Sequence, residues 1–251
     1  MKTAFITGAS SGIGAACARK FAENGYRLIL NARNEEKLNA VADSLRKEFN
    51  TEILLLIFDV REREIARRAI AELPTEWQDI DVLVNNAGLA LGLEKEYVGD
   101  FADWDTMIDT NIKALLSITR FVVPGMVNRG KGHIINIGSV AGDVAYPNGA
   151  VYCATKAAVK TLSDGLRMDL VETPIRVTNI KPGLVETNFS VTRFHGDKER
   201  ADNVYKGIKP LTGADIADCV WFAASAPAHV QIAEVLVLAT HQASGSLTYR
   251  Q

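Results

Sequence analysis

The chain has 251 residues, a hydrophobic content of 47% and a formal net charge of -2, so it can bury a large core within one α/β domain. This charge gives no electrostatic support for a nucleic-acid partner. The longest apolar run, residues 53–58, is too short to span a bilayer, and the first residues lack the apolar core of a signal peptide. We therefore expect one domain over residues 1–251, with no membrane or nucleic-acid partner.

The cysteines and histidines indicate a reducing compartment and no metal. Cys17, Cys153 and Cys219 are widely scattered and form no Cys-x-x-Cys motif, which favours reduced thiols and a cytoplasmic location. The four histidines show no metal-ligand spacing.

A glycine-rich loop follows the first predicted strand, residues 3–7. It reads Gly8-Ala9-Ser10-Ser11-Gly12-Ile13-Gly14 and leads into a helix predicted to end at Asn24-Gly25. Glycines at these positions permit a tight turn and a close approach of the backbone to phosphate at a helix amino terminus. The loop therefore predicts a dinucleotide site, and a merely flexible turn is the alternative.

The second predicted strand, residues 27–33, ends where the adenosine ribose of a dinucleotide would lie. An acidic residue there would favour NAD, but the chain has Asn31, Ala32 and Arg33. Because a guanidinium can pair with a 2′-phosphate, NADP is the predicted cofactor. The alternative is that Arg33 merely faces solvent.

Strands and helices continue to alternate along the chain. A third buried strand, residues 53–58, is followed by Asp59-Val60, which could hold the adenine edge, and a fourth strand runs into residues 85–88. This β-α alternation predicts a parallel sheet with helices on both faces. A long helix follows with Asn111 in its apolar stripe, and the simplest account of a buried Asn is that backbone groups satisfy it.

The last third of the chain is less regular. A sixth strand ends at Pro182-Gly183, and a helix and a strand over residues 214–239 close the sheet. Residues 184–210 mix polar and aromatic side chains, which suits a lid over substrate. Residues 240–251 form a tail without a clear period.

Residues 139–156 have the pattern of an active site. Tyr152 and Lys156 are four residues apart, so they share one face of a helix, and Ser139 follows a predicted strand. Lowering the pKa of a phenol by about three units requires about 4 kcal/mol, which a charge at about 4 Å supplies at an effective dielectric of about 20. A chance Tyr-x-x-x-Lys spacing is the alternative, but Ser139 and the dinucleotide site favour proton transfer.

Several of these features occur together in one order. They are Thr7-Gly8-x-x-x-Gly12-Ile13-Gly14, Asn85-Asn86-Ala87-Gly88, Asn111, Ser139, Tyr152-x-x-x-Lys156 and Pro182-Gly183-x-x-x-Thr187. With them the chain resembles the short-chain dehydrogenase/reductase superfamily over nearly its whole length. The resemblance implies a single Rossmann-like, doubly wound α/β domain, whose seven parallel strands lie in the order 3-2-1-4-5-6-7 between two layers of helices.

The resemblance also implies roles for individual residues. Asn111, Ser139, Tyr152 and Lys156 would form the catalytic proton relay. The residues expected to bind the cofactor are Gly8, Ser10, Ser11, Gly12, Ile13, Gly14, Arg33, Asp59, Val60, Asn86, Ala87, Gly88, Tyr152, Lys156, Pro182, Gly183, Val185 and Thr187. Members of the superfamily are usually dimers or tetramers, here through the helices starting near Asp103 and Val151.

Within the superfamily, residues 176–185, 189–197 and 227–230 resemble the bacterial NADP-dependent dehydrogenases of serine, allo-threonine and related 3-hydroxy acids. Ser139, Tyr152 and Arg193 are then the expected substrate-binding residues, since the planar fork of Arg193 can hold a carboxylate. The alternative is a surface ion pair of Arg193 with Asp197 or Glu199. Glu186 departs from the small residues expected at its position.

We therefore expect an NADP-dependent enzyme that interconverts a secondary alcohol and a ketone, with a small 3-hydroxy acid as substrate. Tyr152 would transfer the proton while hydride moves to nicotinamide. One alternative is an NADPH-dependent reductase of ketones or 3-oxoacyl groups. A second is a non-enzymatic dinucleotide sensor, which the complete Ser139, Tyr152 and Lys156 set disfavours.

Overall fold

The computed structural model describes all of residues 1–251 and contains one parallel sheet of seven strands. The strands are β1 Thr3–Thr7, β2 Arg27–Ala32, β3 Ile53–Ile57, β4 Val82–Asn85, β5 His133–Ile137, β6 Arg176–Pro182 and β7 Glu234–Val237. Their order is β3-β2-β1-β4-β5-β6-β7, and every neighbouring pair is parallel. The predicted fold class and strand order are confirmed.

Helices cover both faces of this sheet. They are α1 Gly12–Glu23, α2 Glu35–Phe49, α3 Arg63–Ala71, α4 Phe101–Ile108, α5 Leu115–Arg129, α6 Ala150–Asp169, α7 Phe189–Arg193, α8 Lys198–Asn203 and α9 Gly213–Ser225. One face has a core around Phe21, Tyr26 and Trp221, whose rings pack edge to face at centroid distances of 5.1 to 5.9 Å. The other face has a core that includes Ile118 and Met126 of α5. No helix is both long enough and apolar enough to cross a membrane.

A buried polar network joins the ends of the central strands. The Asn85 amide of β4 donates to Asn136 of β5 at 2.9 Å and to the Thr119 hydroxyl of α5 at 3.0 Å. Asn136 in turn donates to Ser163 of α6 at 2.9 Å. Because buried polar groups are costly unless they are paired, these bonds specify how α5 and α6 sit on the sheet.

Two predicted elements differ from the structure. The third strand was expected to be buried, but β3 is an edge strand with 40% of Ile57 exposed. The prediction was wrong because an apolar run alone does not distinguish a central strand from an edge strand. The single long helix is interrupted between α4 and α5 by a π-helical segment, Asp109–Ala114, which carries Asn111.

The lid and the tail have more structure than their sequences indicate. Residues 184–210 contain α7 and α8 joined by turns. The tail folds back on itself, because Gln242 and Thr248 form an antiparallel bridge and the Tyr249 amide donates to the His241 carbonyl at 2.8 Å. Both segments lie at the carboxyl ends of the strands, where open α/β sheets bind ligands.

Candidate active site

The glycine-rich loop is held against β4 by Asn86. The Asn86 amide donates to the carbonyl oxygens of Thr7 at 2.8 Å and Gly8 at 3.1 Å. Gly8 and Gly12 have left-handed φ angles of 65° and 54°. A Cβ atom on Gly14 would strike the Gly8 carbonyl and the Asn86 amide. The loop therefore needs glycine for conformation at two positions and for space at the third.

The same loop leaves the amino terminus of α1 open to a cavity. Ser11 precedes the helix with extended φ and ψ angles of -166° and 173°, and its side chain makes no capping bond. The first amide groups of a helix attract anions. Thr7 completes the frame, because its hydroxyl accepts the amides of Asn86 at 3.1 Å and Ala87 at 3.0 Å. These residues fit the pyrophosphate of a dinucleotide.

A pair of arginines lies at the end of β2 and β3. Arg61 binds Asp59 through its amide, Nε and Nη2, the last at 2.7 Å, and lowers the pKa of Asp59. Arg33 approaches Asp59 less closely, with a nitrogen to oxygen distance of 3.6 Å and 63% of its side chain exposed. Asp59 is therefore neutralised mainly by Arg61, which leaves the Arg33 guanidinium free for another anion.

Arg61 was not among the residues expected to bind the cofactor. It lines the cavity, two residues before α3 begins. Its position in the sequence could have indicated this role, because it directly follows Asp59 and Val60, which were already expected to contact the adenine.

Asn111 and Lys156 meet on either side of Gly88. The Asn111 amide pairs with both backbone groups of Leu89, at 2.8 and 2.9 Å, and donates to the Thr155 hydroxyl at 3.0 Å. Lys156 donates to the Ile137 carbonyl at 2.9 Å. A Cβ atom on Gly88 would lie 3.2 Å from the Asn111 oxygen and 3.4 Å from the Lys156 nitrogen. The backbone contacts expected for Asn111 are confirmed.

Ser139 lies two residues after β5, and Tyr152 lies in the first turn of α6. The Ser139 hydroxyl accepts the Ala141 amide at 3.1 Å and donates to the Pro182 carbonyl at 3.4 Å. Tyr152 is 8% exposed and Lys156 is 7% exposed. A phenol, a hydroxyl and an ammonium thus share one largely dry site, which strengthens every charge interaction within it.

Burial opposes ionisation of Tyr152 in this site. Burial raises the pKa of Tyr152 well above its ordinary range and the neighbouring Tyr146 raises it further, whereas Ser139 and the positive charge of Arg193 lower it. Burial also lowers the pKa of Lys156 to about 8. The Lys156 ammonium faces Ile137 and lies 6.0 Å from the centre of the Tyr152 ring. The expectation that Lys156 lowers the pKa of the Tyr152 phenol from close range therefore stays a prediction.

Arg193 points from α7 into the cavity. Its Nε donates to the Gly92 carbonyl at 3.1 Å and its Nη1 to the Tyr146 hydroxyl at 2.8 Å. The guanidinium lies 5.4 Å from the centre of the Tyr146 ring and 5.7 Å from that of Tyr152. Its Nη2 is buried and has no hydrogen-bond partner.

The alternative for Arg193 was an ion pair with Asp197 or Glu199, and neither pair forms. Asp197 instead caps α8 by accepting the Arg200 amide at 3.0 Å. Tyr146 was also missed, although it lies within residues 139–156.

One cavity of about 610 Å³ brings most of the predicted residues together. It is lined by Gly8, Ser10, Ser11, Gly12, Ile13, Arg33, Asp59, Val60, Asn86, Ala87, Gly88, Ser139, Tyr152, Lys156, Pro182, Gly183, Val185, Thr187 and Arg193. Gly14 and Asn111 lie behind this wall and contact residues that line it. Glu186 is exposed and outside the cavity, so its departure from the expected pattern does not change this site.

Comparison with known proteins identifies the family. A family model described as short chain dehydrogenase matches residues 2–198. The chain belongs to the short-chain dehydrogenase family. The NADP-dependent 3-hydroxy acid dehydrogenase YdfG of Salmonella typhimurium is 49% identical over 244 residues, which cover 97% of each chain. The NADP-dependent 3-hydroxy acid dehydrogenase of Schizosaccharomyces pombe is 44% identical over 251 residues, which cover 100% of this chain and 97% of that protein.

A solved structure of this family has the same fold along its whole length. The closed form of serine dehydrogenase complexed with NADP+ superposes with a TM-score of 0.92 at 44% identity, and the match covers 99% of both chains. The resemblance expected from the sequence is therefore confirmed.

Proposed function

We propose that this short-chain dehydrogenase uses NADP to interconvert a secondary alcohol and a ketone, with a small 3-hydroxy acid of the serine or allo-threonine type as substrate. The observation that carries the proposal is the half-buried side chain of Arg193 beside Tyr152, whose buried Nη2 has no hydrogen-bond partner. A carboxylate would satisfy that donor and neutralise the charge. The two relatives are NADP-dependent 3-hydroxy acid dehydrogenases and the similar structure is a serine dehydrogenase complexed with NADP+, which supports the same class of substrate and cofactor here.

The chain offers a binding group for each part of NADP. The loop of Gly8, Gly12 and Gly14 would hold the pyrophosphate at the amino terminus of α1. Arg33, with Arg61 holding Asp59, would bind the 2′-phosphate. Asp59 and Val60 would contact the adenine, and Asn86, Ala87 and Gly88 the adjacent ribose. Tyr152 and Lys156 would lie on the nicotinamide side, and Pro182, Gly183, Val185 and Thr187 would contact the nicotinamide itself. When bound, NADP supplies the ring that accepts or returns a hydride.

The proton is transferred by Tyr152. In the oxidation direction its phenolate accepts the hydroxyl proton of the substrate, and Ser139 donates a hydrogen bond to the substrate oxygen. The positive charge of Arg193 favours the phenolate against the cost of burial. Lys156 holds the nicotinamide ribose and adds a positive charge, while Asn111 anchors a water chain through which the proton reaches solvent.

Arg193 distinguishes the proposed substrate from an apolar ketone. Its Nε and Nη1 are already bonded to Gly92 and Tyr146, so the fork is fixed before substrate arrives. A reductase of simple ketones would gain nothing from a cation in the cavity with a buried, unpartnered donor. A dinucleotide sensor would need neither this cation nor the Ser139 and Tyr152 pair.

We also propose that the protein is a cytoplasmic homo-oligomer, a tetramer or a dimer. Phe101 of α4, Leu116 of α5 and Met168 of α6 are 75%, 44% and 73% exposed, and exposed apolar side chains on neighbouring helices favour a contact between subunits. The three cysteines are free, which suits a reducing compartment.

Removing the Tyr152 hydroxyl tests the proton transfer. Tyr152→Phe should lower kcat by at least about 100-fold, because the ring still packs but carries no proton to exchange, and NADPH binding by fluorescence titration should change little. Tyr26→Phe is the matched control, since it removes a buried phenol in the core formed with Phe21 and Trp221. Near-normal turnover in Tyr152→Phe would refute the mechanism.

Cofactor choice is tested at Arg33. Arg33→Asp should lower the ratio of kcat/KM for NADP to that for NAD by at least about tenfold, since it replaces a phosphate partner by a carboxylate that repels phosphate. Arg67→Asp makes the same change of charge at an exposed site on α3, where Arg67 pairs with Glu64, and should leave the ratio unchanged. An unaltered ratio in Arg33→Asp would mean that Arg33 does not read the 2′-phosphate.

Substrate choice is tested at Arg193 with two variants. Arg193→Ala should cost on the order of 2 to 4 kcal/mol in kcat/KM for a 3-hydroxy acid. Because Arg193 also lowers the pKa of Tyr152, this variant should move the acidic limb of the oxidation profile to higher pH, even with a neutral alcohol. Arg193→Lys keeps the charge and loses the fork, so only the hydroxy acid should suffer.

Arg200→Ala is the control for these variants, because Arg200 is a cation of the same lid that does not line the cavity. Its guanidinium lies 4.5 Å from the centre of the Phe194 ring. Equal losses of kcat/KM on charged and neutral substrates in Arg193→Lys would contradict the proposal that Arg193 binds a substrate carboxylate.

Assembly is tested by size-exclusion chromatography with light scattering. A mass of two or four times 27.3 kDa is expected, and Leu116→Asp should reduce it, because the charge would be placed within the contact. A strictly monomeric wild-type protein at working concentration would contradict the proposal.

A further inference from the structure

The carboxyl-terminal tail contacts the backbone that would face nicotinamide. Gln242 is 5% exposed, and its Oε1 accepts the Leu184 amide at 2.8 Å. Leu184 follows Pro182 and Gly183 directly, and all four residues line the cavity. A tail residue therefore satisfies a backbone donor inside the active site.

Gln242 is itself held in place on several sides. Its Nε2 donates to the Ser244 carbonyl at 2.9 Å, its backbone amide donates to Ala239 at 2.9 Å, and it pairs with Thr248 across the tail. Farther along, the Gln251 amide donates to the Gly207 carbonyl at 2.9 Å, which anchors the tail to the lid. The acceptor for Leu184 is thus presented by an ordered support.

Consecutive backbone groups of the segment Pro182–Leu184 have partners from different parts of the fold. The Pro182 carbonyl accepts from Ser139 at 3.4 Å, the Gly183 amide donates to Val237 of β7 at 2.7 Å, and the Leu184 amide donates to Gln242. Glycine at position 183 leaves room for Gln242 to reach the Leu184 amide, because a Cβ atom there would collide with the Gln242 side-chain oxygen. Loss of the Gln242 side chain would leave the Leu184 amide without its partner. That amide belongs to the peptide group next to the one whose carbonyl contacts Ser139.

From these contacts we propose that Gln242 is a positioning residue for the nicotinamide-facing segment Pro182–Leu184, and that the tail is therefore part of the active site. This inference rests on the proposed function, since it assigns that segment to nicotinamide. Gln242 acts through its hydrogen bond to the Leu184 amide. Its contribution is the orientation of the backbone against which the nicotinamide ring would lie.

Gln242→Met tests the inference, because methionine has a similar length and no strong acceptor. Hydrogen exchange of the Leu184 amide, followed by NMR, should accelerate. The dissociation constant for NADPH and the KM for NADP should each rise by about tenfold, as expected when a buried amide loses its partner. Gln242→Glu keeps an oxygen for Leu184, so the exchange rate and the binding of NADPH should both return toward those of the wild type.

Gln231→Met is the matched control. Gln231 binds the opposite end of β6, the strand that leads into Pro182–Leu184. Its side-chain amide donates to the Val177 carbonyl at 2.7 Å and accepts the Val177 amide at 3.3 Å. Loss of these two hydrogen bonds should lower the melting temperature without changing the affinity for NADPH.

The inference is overturned if Gln242→Met binds NADPH as the wild type does, if Leu184 exchange is unchanged, or if Gln231→Met weakens binding equally. A wild-type protein that binds no NADPH would refute the proposed function itself, and the Leu184 exchange rate would still report whether Gln242 holds the segment.

Discussion

The site depends on one constraint, the parallel pairing of β1 with β4, which brings the end of β1 beside Asn86. The Asn86 amide can then bind the carbonyl groups of Thr7 and Gly8, while the Thr7 hydroxyl accepts two amides in return. These bonds shape the glycine-rich loop and set the distance from that loop to Gly88. Gly88 in turn separates Asn111 from Lys156. A contact between two strand ends thus determines where both halves of the site lie.

Local spacing explains why much of the site was predictable. Tyr152 and Lys156 share a helix, and Ser139 and the glycine-rich loop each follow a strand, so their places depend on a few neighbouring residues. The strand order followed from the family resemblance and is confirmed. Asn111 was expected to bind backbone, and it does so at Leu89.

The remaining features depend on where side chains point after folding. Gln242 acts through Leu184, from which it is 58 residues distant in the chain, so no local spacing indicates the contact. Arg61 follows Asp59 closely, but the fold decides that its side chain turns to Asp59. An ion pair of Arg193 within the lid was a reasonable alternative from proximity in sequence, but the short helix α7 directs Arg193 inward. The spacing of Tyr152 and Lys156 in the sequence likewise says nothing about the burial of Tyr152. Burial is the largest influence on the pKa of that phenol.

The π-helical segment allows one long helical rod to serve two separate cores. Met107, before the segment, packs with Tyr152 and Cys153 near the site, whereas Ile118, after it, packs against the sheet. A π turn holds more residues than an α turn, so it rotates the apolar stripe around the rod axis. If the same residues, Asp109–Ala114, formed a regular α-helix, everything beyond them would be turned by about 100° around the helix axis. The rod could then keep its contact with the active site or with the sheet, but not both.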